Sequence, residues 1–255
     1  MNAKLTSRFL RTPVGWSLAR MLGKRSGPPP GYVRFGSFRS IHPIDPHWGC
    51  ERGLPIDRYY IEKFIGAHAS DIRGHVLEVR DDKYTRRFGN DRVRKSDVIS
   101  LRADDGIPTI VADLTRAPSI PSDAFDCIIL TQTLQYIYDL RRAVGTLYRI
   151  LAPGGVLLAT VPTVCKIDSE SRVEYWRLTS RSCSTLLGKF FPPGALTINS
   201  YGNVLSAVAI LEGLAARELS LAEIEYCDPE YEVIVSIRAV KPEPSRLPAG
   251  HVRHS

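Results

Sequence analysis

The segment Phe125-Asp-Cys-Ile-Ile-Leu130, followed by Leu140 to Leu151 and then Pro153-Gly-Gly-Val-Leu-Leu-Ala-Thr-Val-Pro162, decides the fold. The first run is apolar at consecutive positions from Cys127 to Leu130, as a strand covered on both faces must be. Leu140 to Leu151 carries its apolar residues at helical spacing. Pro153-Gly154-Gly155 turns the chain into a second apolar run, Val156 to Val161. Strand, helix and buried strand in this order predict a right-handed crossover in a parallel sheet.

Working outward, the same alternation repeats toward the N-terminus. Residues 55 to 69 place Ile56, Tyr60, Ile61, Phe64 and Ile65 on one helical face. His75-Val-Leu-Glu-Val-Arg-Asp-Asp-Lys-Tyr-Thr-Arg-Arg-Phe-Gly89 reads as a strand from Gly74 to Val79, a turn, and a short helix from Lys83 to Phe88. Residues 92 to 99 form a second strand ending near Asp97, and 109 to 112 a third before Asp113. Toward the C-terminus, residues 179 to 190 and 203 to 214 read as helices. Residues 195 to 201 and 231 to 240 read as strands, the last antiparallel at the sheet edge. The expected architecture is α/β: a Rossmann-like, doubly wound, mostly parallel seven-stranded sheet with an antiparallel edge strand.

Charge separates the chain into regions. The 255 residues carry a net charge of +7, yet residues 1–40 hold eight Lys or Arg and no acid. The remainder is therefore about −1, which argues against a nucleic-acid face on the folded body. The expected organisation is a basic arm and linker at 1–50, a domain at 51–240 and a disordered tail at 241–255. Thr12-Pro13 would start a helix in the arm. That arm is a candidate for membrane-surface or protein contact. Five scattered cysteines, none in a C-x-x-C pair, fit a reduced, cytoplasmic compartment. The six histidines show no metal spacing, so no metal is expected, and His42 and His47 read as loop residues.

The order F-D-C-I-I-L, then Y-R-I-L-A-P-G-G, then V-L-L-A-T-V-P, with Tyr175-Trp-Arg-Leu-Thr179 beyond, resembles the class I S-adenosylmethionine-dependent methyltransferases over residues 55–240. The resemblance implies a transferase that uses S-adenosylmethionine, with a small-molecule methyl acceptor such as a sugar or secondary metabolite, and O-methyl transfer as the expected reaction. The alternative it leaves open is a methyltransferase-like protein that has lost catalysis and serves as a binding or scaffold subunit.

Ligands of open parallel sheets lie at the carboxyl ends of the strands. The resemblance places the cofactor against Glu78, Arg80, Asp81, Asp97, Asp113, Leu114 and Thr131, with Asp97 as the ribose acid. It gives Gln132 and Tyr136 as catalytic candidates, and Tyr175, Trp176 and Arg177 as substrate-lining. Arg177 would suit an acidic or phosphorylated acceptor. Arg52, Asp57, Arg58 and Tyr59 are candidates to close over the cofactor. Local readings stand beside these: Glu78 as a structural acid, Asp97 as a turn cap, Asp113 as a cap of the Leu114-Thr115 turn, and Thr131 and Gln132 as loop residues satisfying local backbone.

The family's first turn departs here. Three glycines usual after the first strand are replaced by Arg80, Asp82 and Tyr84. Glycine there permits positive φ and close approach of backbone to ligand. Arg80 would therefore either reach for the methionine carboxylate or close the pocket.

Overall fold

The sheet contains seven strands in the order β3-β2-β1-β4-β5-β7-β6. In this computed structural model the described residues are 31–168 and 173–244, with Thr12, Val14, Trp16, Ser17, Met21, Leu22, Pro28 and Pro29. They fall into two units, one up to Pro43 and one from Ile44 onward. Most of the expected arm helix, and the tail from 245, lie outside the described residues. Lys241 is anchored: its amide bonds Gly155 O and its ammonium bonds Leu151 O at 2.8 Å.

The helix α1 (Ile56–Ala67) starts behind Pro55 with Asp57 in its first turn, where a carboxylate suits the helix dipole. Strands β1 (Gly74–Val79), β2 (Val93–Ser100), β3 (Ile110–Val111), β4 (Phe125–Thr131) and β5 (Leu151–Pro162) pair in parallel. The helix α2 (Leu140–Ile150), capped by Asp139, joins β4 to β5. After β5 come α3 (Ser180–Leu187), β6 (Leu196–Tyr201), α4 (Val204–Leu211), α5 (Leu221–Glu225) and β7 (Ile234–Val240). Strand β7 is antiparallel to both neighbours. It was expected at the edge but lies one strand in, because β6 takes the outer place.

Alternation along β4 explains its unbroken apolar run. Ile128 and Leu130 pack with Leu77 against Val144 and Leu147 of α2 and Cys183 and Leu187 of α3. Cys127 and Ile129 face the other way, with Val76, against Ile61, Phe64 and Ile65 of α1. Both faces are thus covered, and each fully buried Ile or Leu contributes roughly 1.5–3 kcal/mol of apolar transfer. Where β5 begins, the register between Phe125 and Cys127 is irregular. A Cβ on Gly155 would stand 2.7 Å from Ala152 O and 2.9 Å from Phe125 O, so only glycine fits that loop-out.

The chain leaves β1 toward β2 and β3 on one side, and β4 lies on the other. The crevice of such a sheet opens at this switch, above the carboxyl ends of β1 and β4.

Candidate active site

Glu78 is buried on β1 opposite Ile129 of β4. Its carboxylate accepts the amide of Tyr84 at 3.1 Å, and the amide and hydroxyl of Thr85 at 2.8 and 2.7 Å. Burial pushes its carboxyl up to about 7, against the lowering effect of these three bonds. Glu78 therefore ties down the start of the helical turn at Thr85–Gly89, which is wound wider than an α-helix. Tyr84 itself meets α1: Arg58 donates to its hydroxyl at 3.4 Å, and the same guanidinium lies 3.8 Å from the Asp57 carboxylate. Of the other residues expected to close over the site, Arg52 bonds Glu218 and Tyr59 bonds Glu225.

Arg80 holds φ +68, the left-handed conformation that glycine adopts without cost. Its amide donates to Ile99 O at 3.0 Å, which closes the turn onto the end of β2. Its side chain is 71% exposed and faces Asp105 at 3.7 Å. The turn thus keeps the path that a glycine would give it. Asp81 folds over locally, accepting the Lys83 amide at 3.1 Å.

Strand β2 continues past Asp97 to Ser100. Asp97 does not close the strand, as the sequence suggested, but sits within it. It is held by His75 Nε2 at 2.6 Å, Lys95 at 2.9 Å and the Thr109 hydroxyl at 2.8 Å. Burial opposes its charge, yet the bonds from Lys95, His75 and Thr109 prevail and hold its carboxyl low. Leu77 is its partner on β1, so Asp97 and Glu78 point to opposite faces. The strand end belongs to Ser100, whose hydroxyl donates to Asp105 at 2.9 Å. Asp105 is the acid that the fold sets beside the turn. The sequence signal for it was Asp104-Asp105-Gly106 after a strand that ends one residue later than expected.

At β3 the local reading of Asp113 holds geometrically: its Oδ1 accepts the Thr115 amide at 2.7 Å. Leu114 is buried in the core. At the end of β4, Thr131 lies beside Thr160 of β5 and its carbonyl accepts the Thr133 hydroxyl at 2.8 Å. Gln132 follows at φ +47, its amide bonded to Thr160 O at 2.9 Å. The buried Gln132 Nε2, Gln135 Oε1 and Thr160 Oγ1 have no hydrogen-bond partner among the described residues. Such groups are costly unless something meets them.

Gln135 also docks the loop that carries Tyr175, its backbone carbonyl accepting the Tyr175 amide at 2.8 Å. Tyr138 packs edge-on to Tyr175 and stacks on Trp176, so three rings form one half-exposed surface. Trp176 Nε1 donates to Ile137 O at 3.0 Å and fixes the indole. Arg177 pairs with the buried Glu174, so its charge is already matched. Tyr136 approaches Asp168 at 3.4 Å. Burial, with Glu174 and Asp168 nearby, pushes its phenol well above the usual range. The structure thus gathers Thr131, Gln132, Tyr136, Tyr175 and Trp176 about β4 and β5, and Glu78, Arg80 and Asp81 about β1. Asp97 stands apart from both groups.

The residues present fit a cofactor with an amino-acid end and a ribose. The left-handed Arg80 preserves the turn, Asp105 offers a carboxylate at the end of β2, and Gln132 offers an unmet buried donor at the end of β4.

Known proteins resemble this chain over part of its length. Residues 65–159 match a family described as "Methyltransferase domain". A ubiquinone/menaquinone biosynthesis C-methyltransferase UbiE of Pectobacterium carotovorum is 33% identical over 89 residues, covering 35% of this chain and 30% of that protein. Its counterpart in Vibrio cholerae is 29% identical over 86 residues, 34% of this chain and 31% of that one. The match thus spans about a third of these relatives' length. Among solved structures, a S-adenosylmethionine dependent methyltransferase from Mesorhizobium loti superposes with a TM-score of 0.50 at 14% identity, covering 74% of this chain and 99% of that one. Residues 65–159, from the last turn of α1 into β5, thus carry the likeness to a methyltransferase domain, on the Rossmann-like sheet that such enzymes share.

Proposed function

We propose that this chain binds S-adenosylmethionine across the ends of β1, β2 and β4 and transfers its methyl group to a small molecule, an oxygen atom being the expected acceptor. The carrying observation is Arg80: a side-chain-bearing residue held at φ +68 keeps the turn in the form a cofactor needs. Gln132 and Thr131 would hold the methionine end, Asp105 the ribose hydroxyls, and Leu114 with Asp113 would flank the base. Glu78 acts one step back, by fixing the turn at Tyr84 and Thr85.

When bound, the cofactor supplies a sulfonium-activated methyl, so positioning and exclusion of water provide much of the rate. Tyr136 stays protonated through neutral pH and orients the acceptor. The Tyr138, Tyr175 and Trp176 surface suits a flat or sugar ring. Since Arg177 is neutralised by Glu174, a neutral ring-bearing acceptor fits better than a phosphorylated one. Five free thiols support a cytoplasmic setting. Among the described residues no helix is long and apolar enough to cross a membrane. Contact of the basic arm with a membrane surface or protein belongs to the same proposal.

A second reading, a binding subunit without catalysis, draws on Ser100 standing where an acid would close β2. Calorimetry on the full chain separates the two. Micromolar binding of S-adenosylmethionine and S-adenosylhomocysteine, with methyl transfer to hydroxylated ring compounds, is expected. No binding at millimolar ligand overturns the enzyme reading in favour of the second, and binding without transfer to any acceptor class favours the second as well.

A further inference from the structure

Asp45, His47 and Glu51 form a cluster that the methyl-transfer site does not use. The Asp45 side chain is only 5% exposed. Its Oδ1 accepts the His47 amide at 2.6 Å, while its buried Oδ2 has no donor among the described residues. His47 turns Nδ1 back toward both acids, 3.9 Å from Asp45 Oδ1 and 3.2 Å from Glu51 Oε1. The three groups offer atoms all within 4.8 Å of one another.

These distances match a shared cation. Ligand atoms about 2.1 Å from a four-coordinate metal stand roughly 3.4 Å from one another. The nearby Arg52 is committed to Glu218 through Nε and a terminal nitrogen. Lys166 bonds the Pro46 carbonyl at 2.6 Å and lies over the Trp48 ring at 4.1 Å. The segment is also preformed. The Asp45 amide donates to Glu212 O at 3.0 Å, and a Cβ on Gly213 would fall 1.9 Å from Asp45 O.

The geometry points to a divalent cation site of Asp45, His47 and Glu51, with water completing the shell. One imidazole and two carboxylates suit a borderline ion, Zn²⁺ before Mg²⁺. It goes beyond the methyl-transfer reading and does not depend on it. Bound metal would fasten residues 45–51, which reach both Glu212 and Lys166 of the loop after β5.

The test is calorimetric titration of ZnCl₂, and separately MgCl₂, into the chelator-treated full chain. One Zn²⁺ equivalent at micromolar affinity is expected, with no Mg²⁺ binding and a raised thermal midpoint in zinc. His47→Ala and Glu51→Gln change exposed side chains, so folding is not at risk, and each should weaken binding at least tenfold. His42→Ala should bind as the parent does. Absence of binding at about 100 μM Zn²⁺ overturns the proposal, because that is roughly a hundredfold above the micromolar affinity expected. Binding that survives both substitutions, or is lost only with Cys50→Ser, overturns it as well.

Discussion

Thr85 donates both its amide, at 2.8 Å, and its hydroxyl, at 2.7 Å, to one carboxylate oxygen of Glu78. The acid that ends β1 is thus spent on the chain itself. Because burial raises its carboxyl to about 7, the folded state holds a proton more tightly than the unfolded state, where the value is near 4.5. Glu78 therefore contributes most below pH 4.5, and that contribution is lost as pH rises through 7. Urea unfolding of the parent and Glu78→Gln at pH 5 and pH 8 should show the parent losing stability relative to the variant, on the order of 3 kcal/mol. A constant difference between the two would refute this assignment.

Arg80→Gly should stabilise the fold by about 1 kcal/mol, because the left-handed backbone no longer carries a Cβ. The exposed pairing with Asp105 contributes little to offset this. Freed of Arg80, Asp105 is available to ribose hydroxyls, so S-adenosylhomocysteine should bind several-fold more tightly by calorimetry. Weaker binding would mean that the guanidinium holds the ligand.

Asp97→Asn and Asp105→Asn should separate support from recognition. Asp97 is held by three donors inside β2, so its variant should lose about 2 kcal/mol or more in urea unfolding, with ligand affinity nearly unchanged. Its carboxyl is held low, so this contribution is present above the unfolded value of 3.8 and fades as pH falls through the lowered folded value. Asp105→Asn should leave stability nearly intact and weaken S-adenosylhomocysteine about tenfold, roughly 1.4 kcal/mol. The reverse pattern would return the ribose role to Asp97.

Gln132→Gly should fold as well as the parent, within about 1 kcal/mol, because φ +47 suits glycine. Loss of its buried donor should still cost about tenfold in S-adenosylhomocysteine affinity. An unchanged affinity would make Gln132 a loop residue only.

The core was legible because β4 and β5 are covered on both faces, which leaves long apolar runs in the sequence. The place of β7 was not, since nothing local to Ile234–Val240 says that Leu196–Tyr201 will pair outside it. Asp97 was misplaced for a similar reason. Where β2 ends is set by pairing of Val79 with Ile99 and by Ala112 bonding Ser100 O, neither of which is written in residues 93–100 alone. The aromatic surface was half legible: Tyr175 and Trp176 stood out, but their stacking on Tyr138 needed the loop docked on Gln135. The burial of Asp45 left no mark at all, being imposed by residues 212 and 213.

Arg80 carries one implication for recognising chains of this kind. The left-handed turn after β1 is maintained here by its surroundings: Ile99 O receives the Arg80 amide, and Glu78 gathers the two amides that follow. Glycine is one route to that backbone path, and a network of anchored neighbours is another. A signature written only in glycines would pass over relatives that have exchanged the first route for the second. A signature written in the acid that anchors the turn would keep them.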